Sequence, residues 1–255
     1  MPVTVTLNLP IEDLPPPPAE PIPRVPALAI FTRTAARGLV KTRLIPLLGA
    51  LGAAALHAAM VKDTLRKVQS LPKNIYRYIF FARAPIAGLP PEFNVRRQRG
   101  SDLGVRLQAA FHVLLNHHES VVVIGTDSPL LPRRLLREAF EKLRSSDAVL
   151  GPSPDGGYYL IGLRRCNRLL FRDIRWSSAD TFGDTQRNFA KHGYSCAVLE
   201  TCSDVDVPAD VGRLVVKLRH DAPSRRLAPA TWKFLKSFDD GPTSLKKFCK
   251  SFEPQ

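Results

Sequence analysis

The sequence predicts an α/β protein in which helices cover both faces of a mainly parallel sheet. Short apolar segments rich in β-branched and aromatic residues alternate along the chain with longer segments of helical apolar spacing. The segment VVVI at 121–124 is apolar throughout, as expected of a strand that is buried on both faces of a parallel sheet. After residue 151 the alternation changes, because the extended segment GGYYLIGL (156–163) has no helix before it. We therefore expect a small antiparallel insertion there.

The individual elements follow from the same patterns. The segment ALAIF at 27–31 predicts the first strand, and an Ala/Leu-rich segment at about 47–68 predicts the helix that follows it. Apolar residues recur at helical spacing over 102–116, and Pro132 and Pro208 each stand where a helix can begin. The remaining elements are predicted as strands at 76–82, 148–151 and 195–200 and as helices at 132–145, 179–191, 208–218 and 232–238.

Three regions are expected along the chain. Residues 1–26 contain the run Pro15–Pro18, and proline cannot occupy a helix interior or a central strand. This arm is expected to be disordered or polyproline-like and to act as a spacer, with binding to a proline-recognition domain as the alternative. Residues 27–219 are expected to form the folded domain. Residues 220–255 carry seven Lys or Arg against four Asp or Glu and are expected to form a basic C-terminal extension.

The charge of the chain points to anionic partners. The 255 residues carry a formal net charge of +14 and have a sequence pI of about 10.1. Such a balance favours polyanions or phosphorylated substrates without choosing between them. A nucleic-acid-binding protein is therefore one hypothesis. RNA-binding proteins usually add exposed aromatic residues or a recognised motif, and the sequence displays neither.

The cysteines and the apolar segments predict a cytoplasmic protein. The longest apolar stretch, at 47–61, is shorter than the roughly 20 residues that a membrane span needs, and the N-terminus lacks the pattern of a signal peptide. The cysteines form no CxxC pair and no metal-ligand spacing, which is typical of reduced thiols in the cytosol. They are Cys166, Cys196, Cys202 and Cys249.

Basic side chains crowd the loop after the first strand, FTRTAARGLVKTRL (31–44). The carboxyl ends of the strands form the ligand-binding crevice of open α/β sheets, so Arg33, Arg37, Lys41 and Arg43 are expected at its mouth. Guanidinium and ammonium groups bind diphosphate or triphosphate oxygens through charge-assisted hydrogen bonds. The loop matches neither the Walker pattern nor GxGxxG. The alternative is a solvated basic loop.

Three acids are candidates for binding a metal ion. Asp127 follows the buried strand directly, in GTDSP, where it could hold a metal or a substrate hydroxyl or could cap the next helix. Asp204 and Asp206 lie in DVDVPADV, and they share one face if this segment is extended. Two carboxylates that close need a cation or a proton between them, and hard oxygen ligands suit magnesium or manganese. Alternatively, Asp206 caps the helix at Pro208, which is compatible with metal binding.

A further acid stands in a glycine-containing turn. Asp155 is followed by Gly156 and Gly157 in GPSPDGGYYLIGL. Such a turn lets the backbone approach a ligand closely, although a simple hairpin turn has the same pattern.

Together these segments resemble a known family. Over residues 27–218 the order of the segments is similar to that in a bacterial family of glycosyltransferase-like proteins, described as radical-SAM-associated or arsenosugar-biosynthesis transferases. That family belongs to the GT-A (nucleotide-diphospho-sugar transferase) superfamily and is similar to 2-phospho-lactate guanylyltransferase and the molybdenum-cofactor nucleotidyltransferases. The segments that carry the resemblance are KTRL, QRGSDLGVRL, GTDSPLLP, GPSPDGGYYLIGL, LFRDIRWSS and DVDVPADV.

The resemblance implies a three-layer α/β/α GT-A fold and a metal-dependent transferase that uses Mg²⁺ or Mn²⁺. The favoured activity is sugar transfer from a nucleotide-diphosphate donor to a small-molecule acceptor. The alternatives are a nucleotidyltransferase that acts with a nucleoside triphosphate on a phosphorylated small molecule, and a degenerate relative without activity. The chain departs from the family pattern at Arg33, where lysine is usual, at Ala35 and Arg37, where prolines are usual, and at Ser178, where threonine is usual.

The resemblance also implies roles for individual residues. Asp127 and Asp155 would be catalytic, with Asp155 positioning or deprotonating an acceptor hydroxyl. The nucleotide and its phosphates would be bound by Thr32, Arg33, Lys41, Arg43, Gln98, Gly100 and Asp102. The acceptor side would be formed by Gly156, Gly157 and Trp176, and the metal would be held by Asp127, Asp204 and Asp206.

Overall fold

A seven-stranded sheet with helices on both faces forms the centre of the protein. The structure is a computed structural model that describes residues 24–83, 88–239 and 249–252, so most of the expected N-terminal arm lies outside the described residues. The strands are β1 (Ala27–Thr32), β2 (Tyr76–Phe81), β3 (Phe93–Arg97), β4 (Val121–Ile124), β5 (Ala148–Pro152), β6 (Tyr158–Leu163) and β7 (Cys196–Val198). The helices are α1 (Ile45–Gln69), α2 (Leu103–Leu115), α3 (Arg133–Lys142), α4 (Thr181–Lys191), α5 (Pro208–His220), α6 (Ala222–Leu227) and α7 (Pro229–Asp239).

The strand order confirms the predicted mixed topology. It is β3-β2-β1-β4-β6-β5-β7, with β6 antiparallel to both of its neighbours and every other pair parallel. In the central pair, Ala27 of β1 stands beside Val121 of β4, and Ile30 stands beside Ile124. Since these two strands run parallel and in register, the chain leaves both of them at the same edge of the sheet. The loop after β1 and the loop after β4 therefore begin side by side.

Alternation along β1 distributes its side chains between the two faces of the sheet. Leu28 and Ile30 belong to an apolar cluster that includes residues of α3, whereas Ala27 and Ala29 belong to a second cluster that includes residues of α2 and α4. All four are fully buried. Burial on both faces explains why these strands appear in the sequence as continuous apolar runs, and it confirms the predicted α/β/α layers.

Two described elements had no counterpart in the prediction. The strand β3 lies at one edge of the sheet, where Phe93 is buried while the next four residues are exposed. Such an edge strand needs no alternating apolar face, so its polar sequence FNVRR appeared to be part of a loop. The short helix α6 begins after Asp221, whose carboxylate accepts a hydrogen bond from the Ser224 N–H at 2.9 Å.

The described part of the predicted C-terminal extension packs on α1. Leu235 of α7 is fully buried in a third apolar cluster that contains residues of α1 and α5. The buried carboxylate of Asp63 on α1 accepts hydrogen bonds from the Ala230 and Thr231 N–H groups at 2.9 and 2.8 Å. A side chain from another helix thus satisfies the free N–H groups at the start of α7. The expected domain boundary at 219 stays a prediction.

By length and composition, the segment Thr42–Gln69 could cross a membrane, since an 18-residue stretch of it has a mean hydropathy of 1.9, and half of that stretch is buried inside the protein. This segment is longer than the apolar stretch at 47–61. The helix is also interrupted at Gly49, where φ is 68° and ψ is 165°. Leu56 and Met60 of α1 are fully buried in the third apolar cluster, which is the position of a core helix.

Candidate active site

The ammonium group of Lys41 brings two of the predicted acids together. Lys41 Nζ lies 2.8 Å from Asp127 Oδ1 and 3.6 Å from Asp206 Oδ1, and it donates a hydrogen bond to the Val205 carbonyl at 2.6 Å. The lysine side chain is 4% exposed, whereas those of Asp127 and Asp206 are 48% and 43% exposed. The two acids, far apart in sequence, therefore meet beside the loop that follows β1.

Backbone and side-chain contacts hold this arrangement. The Val205 N–H donates to the Asp127 carbonyl at 2.8 Å, and the Arg43 guanidinium donates to Asp206 Oδ2 at 2.6 Å. The suggestion that Asp206 caps the helix at Pro208 is wrong. The N-cap residue is Val207, and Asp210 in the first turn holds the entry to the helix, because its Oδ2 accepts from the N–H groups of residues 206 and 207 at 2.8 Å each. The carboxylate of Asp206 therefore faces Lys41 and Arg43.

Asp204 lies in a different electrostatic environment. Burial, together with the negative charges of Asp155, Asp210 and Asp127, raises the pKa of its carboxyl group to about 6, and burial is the largest of these causes. Among the neighbouring acids, Asp155 has the largest effect on Asp204.

The turn that contains Asp155 has a defined shape. Asp155 Oδ1 accepts hydrogen bonds from the Ser153 hydroxyl at 2.5 Å and from the Gly157 N–H at 3.0 Å. Gly156 has a φ of 86°, and a Cβ atom there would lie 2.1 Å from the carbonyl oxygen of Ala179. The turn is therefore packed directly on the segment before α4, and the second oxygen of Asp155 is not used in shaping it.

Trp176 links the segment before α4 to the start of α2. A Cβ atom on Gly104 would lie 2.8 Å from the indole ring, so the ring covers the first turn of α2. The Tyr158 ring lies nearly perpendicular to it, at 75° and 6.5 Å between centroids. The chain segment around Trp176 is attached to α4 by Arg175, whose guanidinium donates two hydrogen bonds of 2.9 Å to Asp184.

The Arg175–Asp184 pair predicts a dependence of stability on pH. Hydrogen bonds from Arg175, with smaller help from Arg187, hold the pKa of Asp184 well below its usual value of about 3.8. A carboxyl whose pKa is lowered by folding contributes stability that is fully present above 3.8 and lost as pH falls through the folded pKa. We expect Asp184→Asn to unfold at lower urea concentration than the wild type at neutral pH, with a difference that shrinks below about pH 3. An equal difference in stability between the wild type and Asp184→Asn at neutral pH and below about pH 3 would contradict this account.

Several residues expected to contact the nucleotide already have partners within the protein. Gln98 Nε2 donates to the backbone carbonyls of Thr32 and Phe80 at 3.0 and 2.9 Å, which ties its segment to β1 and β2. Asp102 caps α2, since its Oδ1 accepts from the Val105 N–H at 2.9 Å. These contacts satisfy both donors of Gln98 and one oxygen of Asp102. Their roles in nucleotide binding stay predictions.

Gly100 lies between Gln98 and Asp102 in the sequence. The Arg106 guanidinium donates to its carbonyl at 3.0 Å, and its φ is 138°. A Cβ atom there would lie 2.7 Å from the Val105 side chain and 2.9 Å from the Arg106 nitrogen, so a side chain would not fit. Gly100 lets the chain turn sharply into α2.

These contacts form a continuous series around the carboxyl edge of the sheet. Gln98 contacts Thr32, Trp176 contacts Gly104, Gly156 contacts Ala179, and Asp204 interacts electrostatically with Asp155 and Asp127. Asp127 then pairs with Lys41, which returns the series to the first loop. The structure therefore brings the predicted residues to one edge of the sheet.

Sequence reasoning missed His57 as part of this edge. The side chain of this α1 residue is buried, and its Nε2 lies 3.0 Å from the Arg33 carbonyl oxygen and 3.5 Å from Thr32 Oγ1. Because a carbonyl oxygen accepts hydrogen bonds, Nε2 carries the proton. Burial lowers the pKa of His57, which favours the neutral ring. The sequence feature that could have identified His57 as a site residue is that it is the one histidine within the Ala/Leu-rich segment at 47–68.

The acids fit a cation that the substrate helps to bind. Among the described residues, no three His, Cys, Asp or Glu side chains are grouped closely enough to hold a metal ion, so Asp127, Asp204 and Asp206 do not form a closed protein cage. Magnesium is commonly held by one or two carboxylates together with substrate phosphates and water. Asp127 and Asp206 provide two such carboxylates, both half-exposed, beside a basic loop.

Comparisons with known proteins agree with this architecture. A family described as "Uncharacterized protein conserved in bacteria (DUF2064)" matches residues 63–178, and no curated protein matches the sequence. The crystal structure of a candidate nucleotide-diphospho-sugar transferase from Desulfovibrio desulfuricans G20 is similar, with a TM-score of 0.77 and 27% identity, covering 90% of this chain and 99% of that one. This similarity supports the prediction that the chain is a transferase.

Two further structures, a cytidylyltransferase and a synthase, are more distant. That from Leptospira borgpetersenii serovar Hardjo-bovis has a TM-score of 0.49 and 11% identity, covering 91% of this chain and 98% of that one. 4-Diphosphocytidyl-2C-methyl-D-erythritol synthase from Anaerococcus prevotii has a TM-score of 0.46 and 11% identity, covering 73% and 94%. At these scores neither carries an argument about function, and the narrower resemblance to radical-SAM-associated or arsenosugar transferases stays a prediction. The chain has the α/β fold of the nucleotide-diphospho-sugar transferases.

Proposed function

We propose that this protein is a transferase that binds an activated nucleotide together with Mg²⁺ or Mn²⁺. The observation that carries the proposal is the meeting of Asp127, Asp206 and Lys41 at the carboxyl ends of two adjacent parallel strands. The similarity to the Desulfovibrio protein over nearly its whole length supports it. The favoured reaction is the transfer of a sugar from a nucleotide-diphosphate donor to a small-molecule acceptor in the cytoplasm.

The basic loop would bind the diphosphate. Arg43 lies at the site through its hydrogen bond to Asp206, and the Arg33 carbonyl is held by His57, which fixes the path of the loop. Preorganised positive charges at this edge stabilise negative charge that develops on the leaving diphosphate. A divalent cation bound at the carboxylates would add further neutralisation of that charge.

Asp155 is proposed to act on the acceptor. Its Oδ1 is fixed by Ser153 and Gly157, so its position is defined while its second oxygen remains for an acceptor hydroxyl. A carboxylate so placed can orient the hydroxyl and take its proton as the new bond forms. Trp176 and Tyr158 would form the adjacent apolar wall.

Thermal-shift measurements test the proposal. The melting temperature would be recorded with UDP-, GDP-, CDP- and dTDP-sugars and with the nucleoside triphosphates, each with and without MnCl₂. A ligand that binds the folded state raises the melting temperature, so at least one nucleotide is expected to stabilise the protein more strongly with the metal than without it. Stabilisation by triphosphates but not by sugar nucleotides would favour nucleotidyl transfer. No metal-dependent stabilisation by any nucleotide would refute the proposal.

The nucleic-acid hypothesis needs its own test because the chain is strongly basic. Gel shifts with RNA and DNA at increasing salt would detect binding, and non-specific binding should weaken steeply as salt rises. Binding that persists at moderate salt, without any nucleotide effect on melting, would favour that alternative. None of the four cysteines, all of which lie in the described part of the chain, forms a disulfide bond, which is consistent with the proposed cytoplasmic location.

A further inference from the structure

The ammonium group of Lys41 lies where a cation between the two acids would bind. An ammonium has three N–H donors, and Lys41 Nζ has three protein oxygens around it, from Val205, Asp127 and Asp206. Two of these contacts are within hydrogen-bond distance, and the third is an ion pair of 3.6 Å. Its side chain is almost completely buried, so the lysine charge is directed at the acids and away from solvent.

The backbone at Lys41 is also held in an uncommon conformation. Its φ is 47° and its ψ is 43°, in the left-handed region that residues with a side chain seldom adopt. Such a conformation costs free energy and persists where surrounding contacts fix it. The contacts of the ammonium group are the ones that hold this side chain in place.

We propose that Lys41 acts as a tethered cation that blocks Asp127 and Asp206 until a nucleotide binds. This inference rests on the proposed function and adds to it an order of binding. In the nucleotide-free protein the ammonium forms ion pairs with both carboxylates. Phosphate oxygens then offer Lys41 equivalent acceptors, its flexible four-carbon side chain moves to them, and the carboxylates become free for the divalent cation.

The Lys41 ammonium and a divalent metal ion would compete for the same two carboxylates. A divalent ion bound to the same carboxylates would lie within a few ångströms of the ammonium, and like charges at that distance repel strongly in a partly buried site. The nucleotide removes this repulsion by adding negative charge and by drawing the ammonium away. Metal and nucleotide should therefore bind with strong positive coupling, and coupling of this kind is reciprocal.

Binding of Mn²⁺ alone tests the inference. Free Mn²⁺ is measured by its electron paramagnetic resonance signal in titrations of the wild type, Lys41→Met and Lys41→Arg, all without nucleotide. We expect Lys41→Met to bind Mn²⁺ at least about tenfold more tightly than the wild type, since the charge of Lys41 is gone while the Arg43–Asp206 pair at 2.6 Å is the same in every variant. Lys41→Arg retains a cation and should bind Mn²⁺ as weakly as the wild type.

Lys217→Met is the matched control, because it removes one positive charge from an exposed side chain on α5 that pairs with Asp221 at 3.8 Å. It should bind Mn²⁺ like the wild type. Circular dichroism checks that each variant is folded, and Lys41→Gln replaces Lys41→Met if the latter does not fold. Equal or weaker Mn²⁺ binding by the folded neutral variant would overturn the inference. If metal-dependent stabilisation by a nucleotide is nevertheless present, the proposed function survives that outcome.

Discussion

Asp127→Asn is expected to abolish the metal-dependent stabilisation of the protein by nucleotides and to slow transfer by at least about a hundredfold, the scale on which removal of one electrostatic group acts. The substitution removes a charge that pairs with Lys41 at 2.8 Å and replaces a strong metal ligand with a neutral amide. The side chain is about half exposed, so the fold should tolerate the change. Thermal shifts with nucleotide and MnCl₂ measure binding, and product formation measures transfer.

Asp155→Asn is the comparison that separates binding from chemistry. Asparagine retains the oxygen that accepts from Ser153 and Gly157, so the turn should keep its shape. We expect this variant to keep the metal-dependent thermal shift while losing most of its transfer activity, because an amide cannot take a proton from the acceptor. The first prediction has its own contradicting outcome: if Asp127→Asn retained the full metal-dependent thermal shift, Asp127 would not be part of the cation site.

The sequence was informative where burial is strong. The strands β1 and β4 are buried on both faces, and the resulting apolar runs allowed their position and the acid after β4 to be predicted. The close approach of Asp127 and Asp206 was a different kind of prediction, since it came from a resemblance. Their proximity depends on the Val205–Asp127 backbone hydrogen bond, which no local pattern encodes.

Other features of the site depend on partners that are distant in sequence. Lys41 was expected to bind phosphates, and nothing in the loop sequence indicates that its ammonium lies against Val205 and two acids. The position of His57 at the site also went unpredicted, because its hydrogen bond to the Arg33 carbonyl connects α1 to a loop 24 positions earlier. Such contacts follow from tertiary packing, which single-sequence patterns do not report.

Gly156→Ala is expected to lower the free energy of unfolding by about 3 kcal/mol or more, through the combined costs of a strained backbone and an overpacked contact. Gly156 has a φ of 86°, and an added Cβ would lie 2.1 Å from the Ala179 carbonyl oxygen, a backbone atom that cannot turn aside. Gly193→Ala is the matched control, since its φ is 69° but a Cβ there meets nothing within 4 Å.

The free energy of unfolding of Gly193→Ala should therefore fall by about 1 kcal/mol, which is the cost of the left-handed conformation without a clash. Urea unfolding of both variants separates the two contributions. Equal losses would mean that the turn at Gly156 and the segment at Ala179 can move apart. In that case Asp155 and Trp176 would be held together less rigidly than the close packing of Gly156 on Ala179 implies, and the acceptor side would have to be completed by substrate binding. A much larger loss at Gly156 would instead mean that the acceptor side is preorganised before any substrate arrives.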